Sequence, residues 1–381
     1  MGSRQDALSA RENDGTSMNE VDNGLQTPAP VHDMAAQGTS AVRAAPLADL
    51  AGPPPRPWLV ADIGGTNARF GWVDEGSDAI VHIATLPGAA HSGPVAAARA
   101  YLEGVQRQLG AVYRPPRGGA FAVATAVGND QIAFTNSGWA FSRRATEAEL
   151  GLDALLMLND FEALALSLPT LGPAQLRAHA ALPDFLAGGT LAVIGPGTGL
   201  GVAGLVPTRR GWVALPGEGG HVTVAPTDDF ETALLAAVRR RHPHVSAERL
   251  ISGIGMPTLH AGVATVLGQD PGDVRLATSD IVARGLAGGD AVCERTLQAF
   301  CALLGSFAGN VALTLGARGG VFIGGGIVPR LGDTFFESPF RERFEAKGRF
   351  QDYLKHIPTA LILDTTTALA GARMALSQLG R

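Results

Sequence analysis

Four side chains in this sequence have the chemistry to move a proton or to accept hydroxyl groups, and three of them stand close to glycine. Asp160 follows Asn159 in "LNDFEALA", Glu218 and His221 share the loop "LPGEGGHV", and Glu248 lies in "VSAERLISG". Three glycine turns accompany them: "DIGGTNARF" from residue 62, "GPGTGLGVA" from residue 195 and "GGVFIGGGIVPR" from residue 319. Glycines let backbone N–H groups come close to a phosphate, and Thr66 and Asn67 add side-chain hydrogen bonds. Asp62, at the head of the first turn, sits where it could hold Mg²⁺ through water.

Each of these residues has a structural use as well. Asn and Asp are favoured N-caps and "FEALALSL" reads as a helix, so capping alone accounts for Asp160; the functional alternative is a general base at the carboxyl end of a strand. Ser246 reads as an N-cap, with Glu248 in the first helical turn, where the dipole favours an acid. Glu218 and His221 lack a convincing third ligand for zinc and read as hydrogen-bonding groups for a polar substrate.

The elements that must position them follow from periodicity. "WLVADIG", "ARFGWVD" and "AIVHIATL" are three strands joined by short turns, and the alternation resumes after Gly65, so the first turn closes a β-hairpin rather than opening a Rossmann helix. "HSGPVAAARAYLEGVQRQLG" is helical, "GGAFAVATAV" and "QIAFTN" are strands, "TEAELG" begins a helix, and "ALLML" is an apolar run ending at Asn159. "TLAVIGPGTGLGVAGLVP" repeats the strand, glycine turn, strand device, which suggests two related α/β halves facing one cleft. The helical "CERTLQAFCALLGSFAGNVALTLG" precedes the third turn, and the strand "TALILD" and helix "ALAGARMALSQLG" close the chain by packing back on the first half. The expected organisation is a disordered tail over 1–56, a small α/β domain over 57–160, a large one over 161–362 and a returning C-terminal helix over 363–381.

Composition narrows the function. With 381 residues, a net charge of −5 and 46% hydrophobic residues, the chain reads as a soluble globular protein with a sizeable core. No uninterrupted apolar run approaches the roughly 20 residues of a membrane helix, and residues 1–56 lack a signal-peptide core, so no membrane and a cytoplasmic setting are expected. Cys293 and Cys301 are the two cysteines, too few for a four-cysteine zinc site. Of the 30 basic residues only Lys347 and Lys355 are lysines, and neither follows a glycine-rich loop. That excludes a Walker P-loop and a protein kinase. Scattered arginines on an acidic balance disfavour nucleic acid as a partner.

Taken in order, "DIGGTNARF", "FTNSGWAFS", "LNDFEALA", "GPGTGLGVA", "LPGEGGHV", "SAERLISG" and "GGVFIGGGIVPR" resemble the bacterial glucokinases, from about Leu59 to the C-terminus. The resemblance implies a two-domain actin-like ATPase fold, ribonuclease H-like in each half, with a deep interdomain cleft. It implies ATP-dependent phosphorylation of glucose at its 6-hydroxyl, with ATP and Mg²⁺ as cofactors and a homodimer. Asp160 matches the catalytic base, Asn159 its sugar-binding neighbour, and Glu218, His221 and Glu248 the remaining glucose-binding positions; Asn136 lies in a segment lining the sugar cleft. Asp62, Ile63, Gly64, Gly65, Thr66 and Asn67 match the first phosphate segment, Gly197, Thr198 and Gly199 the second, and Gly324, Gly325 and Gly326 the adenosine segment. The related ROK-type kinases usually carry a cysteine-rich zinc motif, and its lack here favours the zinc-free branch. Ala126 stands where many relatives have proline, and the tail before Pro57 has no counterpart. Alternatives are a kinase of another hexose or amino sugar, a sugar-sensing regulator, for which residues 1–56 lack a helix-turn-helix pattern, and a structural ATPase, which has no use for the acceptor set.

Overall fold

The structure is a computed structural model that describes residues 57–74, 77–125, 127–134, 138–179, 188–270, 275–364 and 366–379. The expected tail over 1–56, Asn136 and Ala126 lie outside the described residues.

Alternating and fully apolar runs become strands where expected. β1 (Trp58–Ile63), β2 (Asn67–Val73) and β3 (Ile80–Pro87) form an antiparallel meander. β4 (Gly118–Val123) is buried at every position, as a strand covered on both faces must be. A short ribbon of β5 (Gln131–Ala133) and β6 (Ala140–Ser142) follows, then β7 (Ala154–Asn159). The first sheet runs β3-β2-β1-β4-β7, with β1, β4 and β7 parallel. The second sheet contains β8 (Leu176–Ala178), β9 (Leu191–Pro196), β10 (Leu200–Thr208), β11 (Gly211–Gly217), β12 (Gly320–Ile323) and β13 (Thr359–Ile362). Its order is β11-β10-β9-β12-β13-β8, again a meander (β9, β10, β11) continued by parallel strands (β9, β12, β13). The two glycine turns at 64–67 and 197–199 therefore sit at equivalent hairpins of two sheets that share five strands in the same order and direction, the second adding antiparallel β8 at its edge.

Helices start and stop on local signals. α1 (Pro94–Leu109) carries proline in its first turn. α2 (Arg143–Leu150) is capped by Ser142, whose hydroxyl accepts from Ala145 N–H at 3.1 Å, and ends on left-handed Gly151. Next come α3 (Asp160–Ser167), α4 (Asp229–Arg239), α5 (Met256–Val266), α6 (Thr278–Ala287) and α7 (Ala291–Leu315). The helix α7 is long and apolar enough to cross a membrane by length and composition, but 83% of its apolar window is buried inside the protein. Four short helices, α8 (Val328–Leu331), α9 (Asp333–Glu337), α10 (Phe340–Glu345) and α11 (Gln351–Lys355), lead to β13, and α12 (Thr367–Leu379) ends the described chain.

One apolar cluster packs α4 to α7 on the second sheet, and another packs α1 on the first. A third joins the sheets: Val60, Ala120 and Ala122 of the first and Val193, Ala203 and Phe322 of the second meet Ala163 and Leu166 of α3 and Leu369 and Ala372 of α12. α12 touches α3, β1 and β4, so close that a Cβ on Gly371 would lie 1.7 Å from the Ala163 carbonyl oxygen. Gly371→Ala is expected to force the helices apart, costing at least about 1–3 kcal/mol and lowering Tm by several degrees. An unchanged melting curve would show that this contact is looser than the geometry indicates.

Candidate active site

The first turn is built by β1 and β2. Asp62 pairs in register with Arg69, and the turn closes with Gly64 N–H donating to the Asn67 carbonyl at 2.9 Å. Gly88 N–H binds the Thr66 carbonyl at 2.7 Å, anchoring the loop, while Gly65, Thr66 and Asn67 stay exposed. Burial pushes the Asp62 carboxyl above its usual range, and the Arg69 guanidinium, 3.9 Å away, opposes that rise.

Asp160 stands at the same sheet edge, where Ile63, Val123 and Asn159 line up across three parallel strands. Asn159, not Asp160, is the N-cap. Its Oδ1 accepts from Phe161 N–H at 2.9 Å, Glu162 accepts from Asn159 N–H at 3.3 Å to complete a capping box, and Nδ2 donates to the Thr125 carbonyl at 3.1 Å. The capping reading of Asp160 is thereby corrected: its neighbour does that work, and Asp160 becomes the first helical residue, with Oδ1 accepting from Phe161 N–H at 3.0 Å. Burial, reinforced by the Asp62 charge, raises its carboxyl to about 6. Such a group is ionised at neutral pH yet basic enough to take a proton.

The second turn joins β9 to β10 and is clasped by residues 248–254. Gly197 N–H donates to Gly199 at 2.9 Å, Gly253 N–H to Gly197 at 2.8 Å and Ile254 N–H to Thr198 at 3.1 Å. Glu248 Oε2 accepts from Leu200 N–H at 2.9 Å and lies where a Cβ on Gly199 would be, 2.5 Å away. Glu248 sits in a turn rather than a helix: Ser246 Oγ still accepts from Arg249 N–H at 3.2 Å, but Gly253 and Gly255 intervene and α5 begins only at Met256. Glu248 N–H also binds the Gly220 carbonyl at 2.8 Å, which brings Glu248 beside the loop of Glu218 and His221. Those two side chains are mostly exposed, with Nε2 and Oε2 3.8 Å apart. Among the described residues no hydrogen bond or ion pair joins these three to Asp160.

The third turn packs under the second. Gly324 N–H donates to Ile194 at 2.8 Å and Ile327 N–H to Pro196 at 3.3 Å. Gly325 has φ +79°, and a Cβ there would lie 2.4 Å from the Pro196 carbonyl oxygen, so only glycine fits.

Two contributors escaped the sequence reading. Phe161 lays its ring on Gly195 and Gly201, which pair in register on β9 and β10, so the residue after Asp160 bears on the hairpin of the second turn. A glycine pair facing one aromatic is a signal only once the strand register is known. Arg69, the cross-strand partner of Asp62, was a hairpin residue that the alternation alone did not single out. Lys347 is engaged elsewhere, donating to the Ser306 carbonyl at 2.9 Å.

Two like sheets, each opening on a glycine hairpin at the edge that carries the acids, define an actin-like ATPase fold. The glucokinase family description matches residues 59–379, and the chain belongs to the glucokinase family. A glucokinase of Aromatoleum aromaticum is 47% identical over 320 residues, covering 84% of this chain and 94% of that one. A bifunctional glk protein of Burkholderia thailandensis is 45% identical over 324 residues, 84% of this chain but 49% of that protein, so the chain spans about half the length of that relative. The crystal structure of a glucokinase from an Antarctic psychrotroph superposes with a TM-score of 0.76 at 37% identity, covering 84% of this chain and 98% of that one.

Proposed function

We propose that the chain is a glucokinase, transferring the γ-phosphoryl group of ATP to the 6-hydroxyl of D-glucose with Asp160 as general base. The observation that carries the reading is a desolvated carboxyl, raised to about 6, at a sheet edge beside a glycine hairpin. A sugar hydroxyl is a poor nucleophile, and a carboxylate within hydrogen-bond reach can take its proton as the new P–O bond forms, a contribution of about 10²–10⁴-fold. On this reading Asn136, Asn159, Asp160, Glu218, His221 and Glu248 hold the sugar. Asp62 to Asn67 and Gly197 to Gly199 hold the phosphates, and Gly324 to Gly326 the adenosine.

Asp62 suits Mg²⁺, because that ion keeps most of its waters and takes one or two carboxylates besides phosphate oxygens. Its carboxyl, buried and only partly compensated by Arg69 at 3.9 Å, would gain from a nearby cation. When bound, Mg²⁺ supplies charge neutralisation on the phosphates. Asp62 would hold the ion through its water shell, with Arg69 beside that carboxylate across the hairpin, and the turn N–H groups would share the developing phosphoryl charge. Glu248 has a second duty, since the oxygen that meets Leu200 N–H steadies the second turn. The reading includes a cytoplasmic homodimer that needs no zinc, lobes over 57–160 and 161–362, and a hinge near Asn159 that lets closure exclude water.

The test is ADP formation with Mg-ATP and glucose, mannose, fructose, galactose or N-acetylglucosamine. Glucose should stimulate turnover most; another sugar winning would move the proposal to a kinase of that sugar, and no stimulation by any would end it. The pH profile is a second check. The base works ionised, so kcat/KM should be high above neutrality and fall as pH drops through about 6, the value to which Asp160 is raised. An acid limb near 4 would assign the base to a carboxyl that is not desolvated. Because the Asp62 charge contributes to the rise, the limb belongs to the pair.

A further inference from the structure

We propose that the cavity between α4 and α5 is a binding site for a small phosphate-bearing anion, separate from the site described above. The cavity has a volume of about 130 Å³ and is lined by Arg240, Arg241 and His242 after α4, by Thr258 and Gly262 of α5, and by Arg275 ahead of α6. Gly262 makes the helices approach closely: a Cβ there would lie 2.6 Å from Leu234 Cδ1 and 3.0 Å from Val238 Cγ2.

Its electrostatics are one-sided. Burial first, and then the charges of Arg249, Arg275 and Arg241, hold the His242 imidazole below its usual range, which favours the neutral ring. Among the described residues none of Arg240, Arg241, Arg249 and Arg275 is ion-paired to a carboxylate. Basic residues at the end of α4 complement the helix dipole, which accounts for Arg240 and Arg241. It does not account for Arg275, which arrives from another segment and, among the described residues, makes a long contact, 3.4 Å, to Thr258 Oγ1. Nor does it account for His242 Nε2, which is buried without a hydrogen-bond partner. A buried ring nitrogen left without a partner costs free energy, and an anion seated among the guanidinium groups would accept from it.

Size and donor type select the ligand class. The volume is well below the roughly 300–1,000 Å³ of sites that enclose a whole drug-sized molecule, so it admits a head group rather than a nucleotide. Guanidinium groups that line one cavity with an imidazole and a hydroxyl match the oxygens of a phosphoryl group, which takes paired N–H···O bonds. Inorganic phosphate and a phosphate monoester share that chemistry.

The test is calorimetric titration of the full chain with potassium phosphate and, separately, with glycerol 3-phosphate, against potassium chloride at matched ionic strength. His242 is followed by its imidazole NMR resonance, which reports this cavity and not the turns at 64–67 or 197–199. Both probes should shift the His242 resonance saturably, and chloride should not. The Arg241→Ala/Arg275→Ala variant, altered only at exposed side chains, should weaken that binding at least 10-fold while leaving sugar-dependent ADP formation unchanged. Arg275→Lys should lie between, because it keeps the charge and loses the fork. Tighter binding of glycerol 3-phosphate marks a monoester site, and equal binding marks a free-phosphate site. An equal response to chloride, or an unaltered titration in the double variant, would overturn the proposal.

Discussion

Asp160→Asn is expected to lower kcat by about 10²–10⁴-fold, with the KM for sugar changed only a few-fold. The amide keeps the shape and hydrogen-bonding reach of the carboxyl, so the sugar still docks, but it cannot take the hydroxyl proton. The substitution should not harm the fold. The folded-state value, about 6, lies above the ordinary 3.8, so the favourable contribution of the protonated form is present at low pH and lost as pH rises through about 6. At pH 8 the native protein carries a desolvated charge that the asparagine variant lacks, so the variant should melt at the same temperature or higher. A kcat reduced less than 10-fold in a variant that melts normally would take the base role away from Asp160. A lower Tm at pH 8 would mean instead that the carboxylate is held by bonds stronger than its burial.

Why could Asp160 be found in the sequence while its neighbour's role could not? Strands and turns are legible because period-two alternation and glycine leave strong marks, and "WLVADIG" and "TLAVIGPG" became β1 and β9 with their turns in place. The terminal elements were equally legible: "TALILD" contains β13, and "ALAGARMALSQL" lies within α12. The cap was harder. Asn159 and Asp160 are both good N-caps, and only the position of the first helical turn decides between them, a one-residue question that propensity cannot resolve. Glu248 misled for a related reason. Ser-Ala-Glu reads as a helix start, yet the segment spends its backbone groups on Gly220 and on the second turn, partners more than 25 residues distant. The register that sets Gly195 opposite Gly201 under the Phe161 ring is likewise a product of pairing between strands and leaves no local trace. Composition spoke by what it holds: the chain has two lysines, and Lys347 donates to the Ser306 carbonyl.

Gly201→Ala should be a strongly damaging addition of a single methyl group beside Phe161. A Cβ on Gly201 would lie 2.0 Å from Phe161 Cδ2 and Cε2, and one on Gly195 2.4 Å from Cζ, so the ring has no room to give on this face. Phe161 is tied to Asp160: its N–H donates to both Asn159 Oδ1 at 2.9 Å and Asp160 Oδ1 at 3.0 Å. Pushing the ring away therefore moves the start of α3 and Asp160 relative to the turn at 197–199. Misplacement of a reacting group by about 1 Å can cost about 10²-fold, and a kcat loss of about 10–100-fold is expected, with kcat affected more than either KM. The cause can be isolated by a second change. Phe161→Leu alone should cost less, and in combination with Gly201→Ala it should recover activity over Gly201→Ala alone, because the smaller side chain vacates the space the methyl group needs. Such recovery is the non-additivity of residues in direct contact. If the two losses multiply independently, the contact between Phe161 and the β9–β10 hairpin does not position the base, and the hairpin and α3 are aligned by the surrounding apolar cluster instead.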